Sequence, residues 1–302
     1  MRIILLGPQR RPTLEGVARS LGLSGPVATV TAGWQEREPD DALLVALLEG
    51  QAVNLALYRR WLDVRDRDPE YRAGEQRLAG VLAELQELYL LRLDYALQAV
   101  YAVQRRSAPA SASGDALGEA LEAVRELDAA HLRRVNEARL EFYDRLRPHD
   151  RPVIAENRAA VAAVLADAAA LVIAGGHVGV LAEVLHLFNV AAALNETALN
   201  GAPVIAWSAG AMALADRIVL FGDRSPRGPG HAEVYGSGLS LLRDVVLLPH
   251  ARARLLLDDT PRMAVLARRL APARCVPLEA GTRIDVSADG AWPPGIRTIK
   301  AA

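Results

Sequence analysis

The chain has 302 residues, a formal net charge of −1 and 51% hydrophobic residues, so it can bury a substantial core as one large domain or two small ones. No long Lys/Arg cluster stands out, which argues against a nucleic-acid binder, and no uninterrupted apolar segment is long enough to span a bilayer. The single cysteine, Cys275, excludes an internal disulfide and a metal site built on several thiolates. Cys275 lies beside an apolar run and reads as a small buried hydrophobe.

Residues 2–6 are a buried-strand run that ends at Gly7-Pro8. The run is too short for a signal-peptide core, so a soluble cytoplasmic protein is expected. Residues 13–21 carry Leu14, Val17, Ala18 and Leu21 at helical spacing, and residues 27–31 are a second strand closed by Ala32-Gly33-Trp34. Strands alternating with helices predict a parallel sheet.

The alternation then stops for about a hundred residues. Asp40 can cap a helix carrying Leu43, Leu44, Leu47, Leu48, Leu55, Tyr58 and Leu62. Asp68-Pro69 is a helix start, an N-cap followed by proline at the first helical position. A long helix follows with Leu78, Val81, Leu82, Leu85, Leu88, Tyr89, Leu93 and Leu97 on one side. After a breaker at residues 107–114, another carries Leu117, Leu121, Val124, His131, Val135, Phe142 and Leu146. The sustained i, i+3, i+4, i+7 spacing predicts an antiparallel helical hairpin, inserted as residues 40–148 into an α/β domain formed by 1–39 and 149–302. His131 sits on the apolar face with no second ligand residue at metal spacing, so it reads as a core or interface histidine.

The α/β pattern resumes with a helix at 157–168 and a strand at 170–174 that ends in Gly175-Gly176-His177. Further strands are expected at 203–207, 245–248, 274–278 and 282–286, with a helix at 260–270. The expected architecture is an α/β, flavodoxin-like fold, a mostly parallel sheet with helices on both faces plus the inserted hairpin.

The strand at 203–207 ends abruptly in Trp207-Ser208-Ala209-Gly210-Ala211 and runs into an alanine-rich helical segment. A strand-to-helix turn at a serine flanked by small residues is the pattern of a nucleophile elbow. A serine that merely caps the helix reads the same way in sequence. The glycine usual two residues before the serine is replaced by Ala206. Ser208 needs a base to act as a nucleophile. His250 ends a strand at Leu248-Pro249-His250 and is the first candidate, with His231 and His177 as rivals. Gly175-Gly176 and the Ala209 N–H could form an oxyanion hole. Arg252 and Arg254 after His250, and Arg217, Arg224 and Arg227 after the elbow, could hold a substrate carboxylate. No cofactor and no metal are called for.

The order GGH, WSAGAMAL, LLPH and PLEAGT resembles the peptidase E and cyanophycinase family of serine peptidases, which has a class I glutamine amidotransferase-like fold. The resemblance is clear over residues 150–290 and weak over 1–35; the insertion has no counterpart in the short members. It implies Ser208 as nucleophile, His250 as base and Gly176 as oxyanion donor. It also implies a substrate in which aspartate flanks the cleaved bond, which Arg252 or a neighbour could hold, with Gly175 and His177 lining the substrate site. Aligned on Leu278 and Thr282, the family's acidic position falls on Ala280, and Glu279 stands one residue early. A one-residue shift in an extended strand turns the side chain to the other face. Glu279 is therefore the first candidate for the third triad member only if the backbone bulges, with Asp223, Glu233 and Asp258 behind it.

Two readings follow. One is a serine exopeptidase or dipeptidase acting on short acidic or polar peptides. The other is a catalytically impaired member serving as a binding or assembly module. A glutamine amidotransferase is a weaker third, because that chemistry uses a cysteine where this elbow has a serine. The apolar stripes of the hairpin need a facing surface, which predicts a homodimer through residues 78–146.

Overall fold

The computed structural model describes residues 1–9, 12–106, 110–196, 202–224 and 230–300. In chain order it places β1 (Ile3–Leu6), α1 (Leu14–Leu21), β2 (Val27–Val30), a 3₁₀ segment (Ala32–Arg37), α2 (Ala42–Leu47), β3 (Ala52–Asn54) and α3 (Leu57–Arg67). Then come the two long helices α4 (Pro69–Gln104) and α5 (Ala110–Leu146), followed by α6 (Pro152–Asp167), β4 (Ala170–Ile173), α7 (Val178–Leu187) and α8 (Val190–Glu196). The remainder is β5 (Val204–Trp207), α9 (Ala209–Leu214), β6 (Ile218–Leu220), β7 (Glu233–Gly236), β8 (Val245–Pro249), α10 (Ala251–Arg254), α11 (Thr260–Leu270), β9 (Arg274–Leu278) and β10 (Arg283–Val286).

The main sheet has the order β10-β1-β5-β4-β2-β3, with β10 antiparallel and the other five strands parallel. Every residue of β1, β2, β4 and β5 is buried, as expected of strands covered on both faces. Side-chain alternation splits their residues between two cores. Ile4 and Leu6 pack with Leu14, Val17, Leu44 and Leu48 of α1, α2 and its end, whereas Ile3 and Leu5 face the core that holds Val161, Leu165, Leu181 and Leu185. The α/β architecture with helices on both faces is thus as the sequence predicted.

Three expectations change. The single helix expected from Asp40 to Leu62 is broken in the middle. Glu49 and Gly50 both take positive φ, 52° and 80°, so α2 stops, and Ala52–Asn54 joins the sheet as β3 beside β2. The sheet therefore continues past residue 39, into the stretch assigned to the insertion. Strand β8 was expected in the main sheet, yet it pairs in parallel with β9 in a separate two-stranded sheet. Finally, α6 starts at Pro152, ahead of the expected Asn157, because proline suits the first helical turn. Of the breaker at 107–114, residues 107–109 lie outside the described residues, and α5 already includes Ala110.

The hairpin is antiparallel: Tyr71 meets Phe142 near its open end, and Tyr89 bonds Asp128 further along. Asp68 caps α4 by accepting from the Tyr71 N–H at 2.9 Å. The hairpin docks on the α/β body through a buried network. Asp128, 3% exposed, accepts two bonds of 2.7 Å from Arg269 of α11, itself 3% exposed. The Tyr89 hydroxyl donates to Asp128 and accepts from the Val234 N–H, and Arg269 also donates to the Ala232 carbonyl. His131 is buried, stacks on Tyr89 at 4.1 Å and meets Gln86 at 2.9 Å, so it is a satisfied core histidine. Burial holds its pKa below the usual imidazole value. Cys275 is buried as expected, and burial pushes its thiol up to about 12.

Candidate active site

The register of the parallel strands aligns Leu6 with Trp207, Ala206 with Ile173 and Ile173 with Val30. The segments that follow these strands emerge on one edge, where doubly wound sheets place their sites. They are Gly7 to Gln9, Ser208, Gly175-Gly176 and the turn carrying Trp34.

Ser208 has φ 53° and ψ −124°, a conformation that costs a non-glycine residue strain and that persists only where the surroundings enforce it. Its side chain makes no capping bond to α9, so the helix-cap reading does not hold. This is the geometry of a nucleophile elbow. Gly175 lies against it: a Cβ there would sit 2.8 Å from the Ser208 Cβ and 3.3 Å from its Oγ. Gly176 has φ 138°, and a Cβ on it would sit 2.3 Å from the Gly33 carbonyl oxygen. The His177 N–H donates to that same carbonyl at 2.7 Å and locks the turn. Among the described residues, neither the Gly176 nor the Ala209 N–H has a hydrogen-bond partner; Ala209 follows the serine directly, and Gly176 lines the same cleft.

His250 reaches this edge although β8 lies outside the main sheet. The His250 N–H donates to the Leu278 carbonyl at 3.1 Å, and the Gly7 N–H at the end of β1 donates to the Thr282 carbonyl at 2.9 Å. Gly7 lies so close to the Glu279 carbonyl that a Cβ would stand 1.7 Å from the oxygen. The turn after β9 therefore ties both sheets together, and His250, at φ 57°, opens α10 beside the elbow. A cleft of about 360 Å³ is lined by Gly175, Gly176, Ser208 and His250 together with Gln9, Trp34 and Trp207.

Other residues singled out in the sequence lie elsewhere. His231 pairs with Asp94 of α4 at 3.4 Å and lies over Tyr101, away from the cleft. His177 faces a different cavity, and its Nδ1 accepts from the Val180 N–H at 3.1 Å, so it caps α7 and does not line the cleft of Ser208. Arg252 is exposed on α10 and is not part of the cleft wall, and Arg227 lies outside the described residues. Glu279 Oε1 accepts from the Arg252 N–H at 2.7 Å, so its carboxylate caps the backbone just past His250. Of the fallback acids, Asp223 is held by Arg262 at 2.7 and 3.0 Å, Glu233 accepts from Gln86 at 3.0 Å, and Asp258 is exposed. The sequence missed Trp34 and the leucines of α2 as cleft residues. Their run of leucines had no polar signal to set it apart from core.

No helix among the described residues is long and apolar enough to cross a membrane. No curated protein matches the chain. The crystal structure of a peptidase from an acI-B1 Actinobacterium aligns over 100% of this chain and 91% of its own, at 13% identity and a TM-score of 0.46. Residues 147–291, the stretch that supplies Gly175-Gly176, Ser208, His250 and Glu279, match the model of peptidase family S51. Over that stretch the chain is similar to the S51 serine peptidases, the family its motifs resemble.

Proposed function

We propose that the protein is a serine exopeptidase or dipeptidase acting on short peptides, with Ser208 as nucleophile and His250 as base. The observation that carries this reading is the strained elbow at Ser208, which opens into the cleft His250 also lines. That cleft falls at the small end of the roughly 300–1,000 Å³ common for small-molecule sites, which suits a short peptide. The Ser208 Oγ attacks the scissile carbonyl carbon while His250 takes its proton. The oxyanion is held by the Gly176 and Ala209 N–H groups. As the C–N bond breaks, His250 returns the proton to the leaving amine. A water molecule then hydrolyses the acyl ester by the same route and frees Ser208.

Glu279 supports this scheme as a positioning residue. It fixes the first turn of α10 through the Arg252 N–H, and His250 opens that turn. The acidic or polar preference expected from Arg252 has no support from its exposed side chain. The same bond also favours the second reading, an impaired member that binds without turning over, because it occupies a Glu279 oxygen on backbone.

A serine-reactive fluorophosphonate probe separates the two. The reading expects labelling that maps to Ser208, and loss of both labelling and peptide hydrolysis in Ser208→Ala with the thermal midpoint nearly unchanged. A folded wild-type protein that is neither labelled nor hydrolytic overturns it in favour of the binding module. The homodimer also belongs to this proposal. The hairpin buries one stripe on its own body but leaves Val81, Leu88, Leu91 and Tyr95 of α4 exposed on one face.

A further inference from the structure

Much of the described lining of the cleft is apolar. Leu14 of α1, Trp34 of the 3₁₀ segment, Leu43, Leu44 and Leu47 of α2, and Trp207 before the elbow all line it. Helix α2 reads Ala-Leu-Leu-Val-Ala-Leu, with no charged or polar side chain. Its inner face is packed, with Leu44 3% exposed, while Leu43 stands 65% exposed at the cleft. The polar side chains of the described lining are few. Gln9 spends its amide within its own loop, donating to the Gly7 carbonyl and accepting from the Thr13 N–H. Ser208 and His250 are the reacting pair. No Arg, Lys, Asp or Glu belongs to the described lining. An aliphatic or aromatic side chain placed here would gain by covering Leu43 and its neighbours.

On the peptidase reading above, we infer that this apolar lining is a specificity subsite for an apolar side chain next to the scissile bond. The substrates are short peptides carrying leucine-like or aromatic residues there. Leu43 is the determinant best suited to a test, because its exposed side chain can be changed without opening the core.

The experiment compares kcat/KM for the dipeptides Leu-Ala, Ala-Leu, Asp-Ala, Ala-Asp and Ala-Ala, with fluorophosphonate labelling of the same protein. The subsite predicts that at least one leucine dipeptide is cleaved about tenfold or more faster than its aspartate counterpart. In Leu43→Arg that advantage should shrink by about tenfold, while the corresponding aspartate dipeptide is cleaved faster than by the wild type. Labelling of Ser208 without a leucine preference, or a preference that Leu43→Arg leaves unchanged, overturns the apolar subsite and leaves the peptidase reading standing. Absence of both labelling and cleavage overturns the two together.

Discussion

At the scale of single residues, the elbow is where local structure and chemistry conflict. Ser208 holds φ 53° and ψ −124° only because its neighbours leave no alternative: Gly175 on one side and the buried helix α9 on the other. A strain of that kind costs on the order of 1–3 kcal/mol, which a glycine would not suffer. Glycine gives back about 0.5–1 kcal/mol through the extra freedom of the unfolded chain. Ser208→Gly is therefore expected to raise unfolding stability by about 1 kcal/mol in a urea titration, while removing the nucleophile. A loss of stability in that variant would mean the elbow is not strained. Cys275 shows the opposite case, a reactive side chain made inert by burial, with its thiol held at about 12.

At the scale of elements, the docking of the hairpin rests on charge as well as apolar contact. Asp128 of α5 and Arg269 of α11 are both buried and joined by two bonds of 2.7 Å. Removing one partner leaves the other charged in a low-dielectric surrounding, which costs about 3–5 kcal/mol. Asp128→Ala should destabilise the protein by that amount in chemical denaturation. Glu122→Ala, six residues earlier on α5, breaks only the exposed pair with Arg125 and should change stability by less than about 1 kcal/mol. Equal effects from the two variants would show that the Asp128–Arg269 pair does not anchor the hairpin. The turn after β9 is an element-scale device of another kind. Thr282 bonds Gly7 and the Leu278 carbonyl bonds His250, so one turn sets the distance between the histidine and the end of β1.

At the scale of the whole molecule, the hairpin covers the α/β body on one side and presents the stripe of Val81, Leu88, Leu91 and Tyr95 on the other. Twofold pairing of that stripe is the simplest way to bury it. Light scattering at micromolar protein should return the mass of a dimer, and Leu88→Glu combined with Leu91→Glu should return that of a monomer. A monomeric wild type rules the homodimer out. The double variant should keep its fluorophosphonate labelling, because the stripe lies on α4 and the described lining of the cleft includes no residue of that helix.

The sequence alone determined what depends on neighbours along the chain. Buried parallel strands announce themselves as apolar runs, the cap Asp68-Pro69 starts a helix by its own chemistry, and Trp207-Ser208-Ala209-Gly210 encodes a tight turn because only small residues fit there. Those signals gave the α/β class, the hairpin and Ser208 as candidate nucleophile. Tertiary structure alone decided which distant groups meet. His250 led its rivals His231 and His177 only because it ends a strand; the tie between Thr282 and Gly7 brings the first beside the cleft, a pair with Asp94 holds the second on the hairpin, and a capping bond holds the third on α7. The same holds for the leucines of α2, which sequence periodicity reads as core. Whether a leucine faces a packed interior or an open cleft depends on which distant segments meet it, and here Leu43 borders a cleft shared with Gly175, Gly176 and Ser208, well over a hundred residues away.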